Sequence, residues 1–574
     1  MDDIVIRDGF IVDGTGQPGF YGDVSIKDGR LREVGGKAGR GHREINAAGR
    51  LVTPGFVDIH THYDGQASWD PWLAPSSLHG VTTAVMGNCG VGFAPVHPDK
   101  RDWIISLMEA VEDIPAATLR TGIPWGWESF PEYLDKLDSL PRAIDIGAQA
   151  THASIRTYVM GERGAANAPA TADELDRMAG VVREAMQAGA LGFTTSRSTL
   201  QRTRDGEHTP GYGVAVEEII ALGRVLGTMN KGSIGVNVDF DDVDKEIHWL
   251  RRLQRESGRP IWFLLAQLPD SPDKYKTVLE QAARATAEGE PLFAQVSGRP
   301  VGFLLGLEST KHPFVSRPSY KTIAHLPLAE RVAKLRDPDF RRRLLSEAVK
   351  HHGVVMRTIT DRFDLMFRLG EPPNYEPAPQ DSIAALASLQ GRPPDEVALD
   401  ILLEREGREL LFMPAANYSA GDFSDIQKML AHPNTIMGLS DAGAHCGLVC
   451  DSSMPTFMLT HWARDRKRGP KLLLENVIRA QTSDTALFYG LRDRGTLRPG
   501  LKADVNVIDF DRLRLYAPEM TYDLPAAGRR LMQRVEGYAA TVVSGEVTLE
   551  NDQPTGALPG KLIRGPQGAA LQNL

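Results

Sequence analysis

The sequence predicts an α/β protein, a TIM-like (β/α)8 barrel with a small β-sandwich domain formed by both chain termini. Three observations carry that expectation. The middle of the chain alternates short apolar strands with helical stretches, the pattern of parallel strands joined by crossovers. Both ends are instead made of short strands divided by glycine-containing turns. At 574 residues the chain exceeds one ordinary domain but suits one barrel with additions.

The elements follow in order. Strands are expected at 4–6, 9–12, 23–26 and 30–34, with Asp28-Gly29 as a hairpin signal. Eight barrel strands are expected at 55–62, 82–87, 144–150, 191–195, 233–240, 261–266, 291–296 and 435–439. Helices are expected at 171–188, opened by a Thr171/Glu174 capping box, and at 216–226. Segments 90–142 and 298–434 are too long for plain loops and should carry structure of their own. Strands at 503–509 and 540–545 return the chain to the β domain. The expected domains are 1–52 and 486–574 for the sandwich, including a loose tail, and 53–485 for the barrel. His351-His352 reads as a helix end.

Composition excludes several classes. Hydrophobic residues at 42% and charged residues at 24% describe a globular chain, not a disordered one. Lys and Arg total 65 against 74 Asp and Glu, so no basic excess points to nucleic acid. Three cysteines rule out a disulfide scaffold and favour a reducing compartment. Apolar runs are too short for a membrane span, and the acidic, alternating start is unlike a signal peptide. A cytoplasmic location follows as the default. Assembly as a homo-oligomer is left open. Nucleotide binding has no Gly-x-Gly-x-x-Gly turn, and serine hydrolysis no Gly-x-Ser-x-Gly elbow.

The strongest chemical signal is Asp58-Ile59-His60-Thr61-His62 at the head of the strand array. Residues two apart in a strand share a face, so His60 and His62 point the same way. Paired imidazoles suit Zn²⁺ or another divalent metal. Cys89 follows the second strand and offers a thiolate. Asp441 follows the last strand and could both ligate metal and accept a proton. Cys446 and Cys450 have ligand spacing beside His445, but without a second pair they read as packing. Trp69, Trp72, Trp103, Trp125 and Trp127 read as the small core of an insertion more readily than as an acyl pocket.

These motifs resemble the amidohydrolase superfamily, in its N-acyl-D-amino-acid deacylase (D-aminoacylase) branch. The resemblance runs through the Asp-Gly-rich N-terminal strands, Pro54 to Asp64, Gly87-Asn88-Cys89-Gly90, Ala188 to Gly192, Ser440-Asp441-Ala442 and Arg494 to Asp504. It implies a metal-containing TIM barrel with a small β-sandwich. It also implies hydrolysis of a small-molecule amide by metal-activated water, with one or two ions. His60, His62 and Asp441 would form one ligand set, Cys89 would belong to a second, tighter position, and Asp441 would act as catalytic base and then acid. The fourth strand lacks the bridging lysine of many superfamily members, which fits Cys89 as ligand.

The chain departs from that branch at two positions. The tighter site calls for histidines after strands five and six, where this sequence has Asn237 and Gln267. Neutral amides are poor zinc ligands beside imidazole. Three readings follow in order of preference: a single metal on the remaining ligands, His152 substituting, or a binding protein without catalysis. Asn237, Gln267 and Arg197 are candidate substrate contacts. The sixth-strand lysine that would hold a substrate carboxylate is also missing. Lys274, Lys276 and Arg299 read as solvated cations rather than as its replacements. The expected activity is hydrolysis of a C–N bond in an N-acyl amino acid or related linear amide. A cyclic-amide (lactam) hydrolase or deaminase on the same barrel is the alternative.

Overall fold

The computed structural model describes residues 1–348 and 353–565. His351-His352 and the tail beyond Gly565 lie outside the described residues.

Eight short parallel strands form the centre. They are β1 (Phe56–Asp58), β2 (Val81–Met86), β3 (Asp145–Ala148, continued by Ala150–Thr151), β4 (Gly192–Ser196), β5 (Ser233–Asn237), β6 (Ile261–Leu264), β7 (Leu292–Val296) and β8 (Thr435–Met437). All eight overlap the strands expected from the sequence. Hydrogen bonding groups β1, β2 and the first part of β3 in one sheet, and the rest of β3 with β4 to β8 in another. Gln149 alone separates the two parts of β3, so this strand passes from one sheet to the other. Leu191 N donates to Ala148 O across that step, at 2.8 Å. At the other end, a parallel bridge pairs Thr61 with Ala442, and His62 N donates to Ala442 O at 2.7 Å. Strands β2 to β5 are almost wholly buried, as parallel strands covered on both faces must be.

The crossovers are built by local rules. Helix Ala172–Ala188 opens on the expected capping box, in which Thr171 and Glu174 satisfy each other's backbone N–H groups. It closes on Gly189 at φ 116°, a left-handed position that favours glycine. Helices Val216–Met229, Val243–Ser257 and Lys274–Ala287 make the next three crossovers. The two long segments replace the crossovers after β2 and β7. The first carries helices Arg101–Glu112, Ala116–Gly122 and Phe130–Asp138, and its Trp127, Phe130 and Tyr133 join the main core. Trp125 packs on Trp127 with ring centres 5.0 Å apart, and with Trp69, Trp72 and Trp103 it lies against the main core rather than in a separate core of the insertion. The second has a hydrophobic core of its own, running from Leu305 and Phe314 through Leu335 and Leu399 to Met413.

Both chain ends meet in one nine-stranded hydrogen-bonded sheet, the expected β domain drawn from the two termini. Strand Leu51–Pro54 pairs antiparallel with Val505–Ile508. Ile4, Ile6, Val24 and Ile26 share a core with Val505, Val507, Ala540 and Val542. No helix among the described residues is long and apolar enough to cross a membrane.

The Arg494 to Asp504 segment ties this sheet to the parallel strands. Arg494 donates to Asp145 Oδ2 at 2.6 Å and to Thr83 Oγ1 at 2.8 Å, and Lys502 Nζ lies 3.2 Å from Asp145. Asp145 and Arg494 are both buried. Burial would raise the Asp145 pKa, but Lys502 and Arg494 hold it below the usual carboxylate range. Removing one partner of a buried pair strands the other charge. Arg494→Ala should therefore lower unfolding stability by about 3 kcal/mol, read from the urea midpoint. A loss under about 1 kcal/mol would mean that Lys502 alone neutralises Asp145.

Candidate metal centre

Four of the expected residues meet beyond the C-terminal ends of β1, β2 and β8. His60 and His62 follow β1 and are buried. Cys89 follows β2, and Asp441 follows β8. Cys89, Leu439 and Asp441 all hold positive φ, at 55°, 63° and 48°, a conformation that costs strain in residues other than glycine. The junction is braced from below. Ser440 Oγ donates to Asp58 Oδ2, and Asp58 also accepts from His60 N at 3.2 Å. Burial pushes the Asp58 carboxyl up to about 6, against the pull of those two donors.

The donor atoms of His60, His62 and Cys89 lie within 4.8 Å of one another. Cys89 Sγ is 3.5 Å from His60 Nε2. Asp441 Oδ1 is 3.2 Å from His60 Nε2 and 3.6 Å from His62 Nε2. Each group bends its neighbours' proton affinity. Burial disfavours charge on His60, yet Cys89 and Asp441 carry its pKa up to about 10. Burial likewise opposes charge on His62, while Glu112, Asp441 and Cys89 raise it well above normal. Burial would raise Asp441 and Cys89, but the two imidazoles hold both below their ordinary values, Asp441 far below. Anionic donors thus draw positive charge into a buried space. The set of two imidazoles, a thiolate and a carboxylate suits a divalent cation such as Zn²⁺.

Two neighbours were missed in the sequence. Gln295, in the middle of apolar β7, lies 2.7 Å from His60 Nδ1 through Oε1. With that amide oxygen as acceptor, the Nδ1 proton is held there and Nε2 faces Cys89 and Asp441. A lone polar residue in a buried strand was the available signal. Glu112, the last residue of helix Arg101–Glu112, is buried with its Oε1 3.5 Å from His62 Nδ1. A glutamate at a helix end in an insertion gave no signal.

The other candidates lie elsewhere. His152 is buried with both ring nitrogens engaged, Nδ1 with Thr195 Oγ1 at 2.8 Å and Nε2 with Glu218 Oε1 at 2.9 Å. Arg156 completes that network on Glu218, so the imidazole is spent in packing polarity, not offered to the cluster. Gln267 turns to the second insertion: its Oε1 accepts from Ser419 N, and its backbone pairs with Asn417. Asn237 ends β5, half-buried, and its carbonyl accepts from Arg197 N. Arg197 donates to Val214 O and stacks over Trp249. Lys274 and Lys276 stand beside Asp241 and Asp273. Arg299 corrects its expectation. It is buried, donates to Asp451 and Ser453, and lies over the Tyr375 ring at 4.2 Å. Cys446 and Cys450 are buried with their thiols pushed up to about 12 by that burial, as packing residues should be.

The amidohydrolase family model matches residues 43–549. The chain belongs to the amidohydrolase family. The chain is similar to a D-aminoacylase of Alcaligenes xylosoxydans xylosoxydans, 26% identical over 567 residues that cover 98% of this chain and 97% of that protein. An uncharacterized protein of Mycobacterium tuberculosis is 29% identical over 540 residues, 88% of this chain and 84% of that one. Among solved structures, the N-acyl-D-glutamate deacylase of Bordetella bronchiseptica, complexed with zinc and a phosphonate inhibitor, superposes with a TM-score of 0.65. It is 23% identical, covers 98% of this chain and 99% of its own, and establishes a common fold. This amidohydrolase is thus a hydrolase of carbon–nitrogen bonds.

The three cysteines should differ in reactivity, because the thiolate is the nucleophile. Cys89 is half-buried and its pKa is lowered, whereas Cys446 and Cys450 are buried and raised. Iodoacetamide at neutral pH should label Cys89 first, as read by peptide mass spectrometry, and added Zn²⁺ should protect it. Faster labelling of Cys446 or Cys450 would contradict this division.

Proposed function

We propose that this amidohydrolase cleaves a linear small-molecule amide, an N-acyl amino acid or a close relative, at a centre built by His60, His62, Cys89 and Asp441. The observation that carries the reading is the convergence of these four side chains beyond the C-terminal ends of parallel strands. That end of a TIM barrel is where its enzymes do chemistry. The reading takes the eight strands as a closed (β/α)8 barrel over 53–485, with the β domain drawn from 1–52 and from 486 onward. The Thr61–Ala442 bridge and the continuity of β3 support closure. D-Aminoacylase as a relative along almost the whole chain supports the substrate class. Three unpaired cysteines, one of them in the cluster, support a reducing, cytoplasmic setting.

The four donors would hold a divalent metal such as Zn²⁺. We assign one ion, because Asn237 and Gln267 stand where the resemblance calls for further histidines. A divalent ion, when bound, lowers the pKa of water and polarises an amide carbonyl. The protein's own residues do the rest. Asp441 is the carboxylate of the set, with Oδ1 3.2 Å from His60 Nε2 and 3.6 Å from His62 Nε2, and a carboxylate there can accept a proton. It takes that proton from the attacking water and delivers it to the leaving amine. The imidazoles are sealed, while the Asp441 side chain keeps 19% of its surface open to substrate and water. Gln295 fixes which nitrogen of His60 faces the reacting groups.

The test is turnover of zinc-loaded protein on N-acyl D- and L-amino acids, neutral anilides and lactams. Release of amine from the linear amides is expected. Turnover of lactams alone, or of nothing, overturns the reading. Asp441→Asn should cut kcat by about 10²- to 10⁴-fold with an unchanged circular dichroism spectrum. Undiminished turnover would remove Asp441 from its role.

A further inference from the structure

We propose that Glu112 is a positioning residue for His62, an outer carboxylate that sets the tautomer and basicity of one metal donor. The inference rests on the reading of His62 as a donor to the metal.

Four observations on Glu112 lead there. Its side chain is 2% exposed, on a helix end in an insertion, where a glutamate has no structural need to be inside. Its Oε1 and His62 Nδ1 are both buried, and neither has a hydrogen-bond partner. They are 3.5 Å apart, and leaving either unsatisfied in the interior is costly. A small turn of either group would therefore satisfy both atoms at once. Finally, a second histidine stands beside the other carboxylate oxygen. His445 Nε2 lies 3.8 Å from Oε2, and His445 N donates to the Glu112 carbonyl. His445 itself has positive φ, 49°, so this approach is made at the expense of backbone strain.

The consequence follows from imidazole chemistry. When Nδ1 carries its proton toward a carboxylate, the lone pair is left on Nε2. His62 Nε2 is the atom that faces Asp441. An anionic acceptor also makes the imidazole a stronger donor than a neutral one does. The two histidines then differ: His60 leans on the amide of Gln295, and His62 on a carboxylate. In a centre where Asn237 and Gln267 replace the expected imidazoles, a strengthened His62 offsets part of the missing donor strength.

The experiment is calorimetric titration of Zn²⁺ into chelator-stripped protein, with His62→Ala, Glu112→Gln, Glu112→Ala and the His62→Ala/Glu112→Ala double variant. Glu112→Gln keeps the shape and an acceptor but removes the charge. It should weaken Zn²⁺ binding by about 10-fold and Glu112→Ala by up to about 100-fold. In the His62→Ala background, Glu112→Ala should change affinity by less than about 2-fold, since its effect runs through that imidazole. A general packing role would act equally in both backgrounds, and that result overturns the inference. Should Glu112→Ala fail to fold, Glu112→Gln and its pair with His62→Ala carry the same comparison. If His62→Ala weakens Zn²⁺ binding and the Glu112 variants do not, the inference alone fails. If His62→Ala leaves Zn²⁺ binding unchanged, the metal reading of His62 fails and takes the inference with it.

Discussion

The junction between β1 and β8 is the constraint on which the site depends. Ser440 and Asp58 are separated by 382 positions, yet Ser440 bridges Asp58 and the His60 carbonyl. One residue further on, Thr61 pairs with Ala442. These contacts bring the histidine pair and Asp441 onto opposite sides of one small space. The intervening strands, crossovers and insertions must all fit between these two points. The hydrogen bonds at the junction are buried, so leaving any one unmade would strand a polar group.

Electrostatics then explains why that space is unusual. Burial alone would neutralise every member of the cluster. Instead the two imidazoles draw the thiol and the carboxyl below their ordinary pKa values, and are themselves raised in turn. Charges of both signs survive only because they are close together. A cation of higher charge would take over the part the imidazole protons play. The neighbouring Arg299 network shows the contrasting solution, in which a guanidinium meets a carboxylate, a hydroxyl, a backbone carbonyl and a ring.

The legibility of the chain followed the range of the forces involved. The strands could be read because buried parallel strands are short apolar runs bounded by turns. The helix at Ala172–Ala188 could be read because a capping box is local chemistry. His60 and His62 could be read because they share a strand's periodicity, and Cys89 and Asp441 because each follows a strand. His152 sits at an equally suggestive position after β3, yet Glu218 and Thr195 claim its nitrogens from other elements. Arg299 looked like a solvated cation because its partner, Asp451, is 152 positions away. Glu112 was silent because its partner, His62, lies on a different element, and Gln295 signalled only as a polar residue in an apolar strand.

By itself, the sequence determined the alternation of strand and helix, the union of both chain ends in one β region, and the identity of the four converging side chains. Periodicity, capping and turn chemistry are properties of neighbouring residues, and they survive in one dimension. Only the tertiary structure decided which polar groups are spent on each other and which are left facing the cluster. That choice depends on partners brought together from distant strands and insertions. It turned Arg299 and His152 inward, gave His60 an amide and His62 a carboxylate, and left Asp441 open on one side.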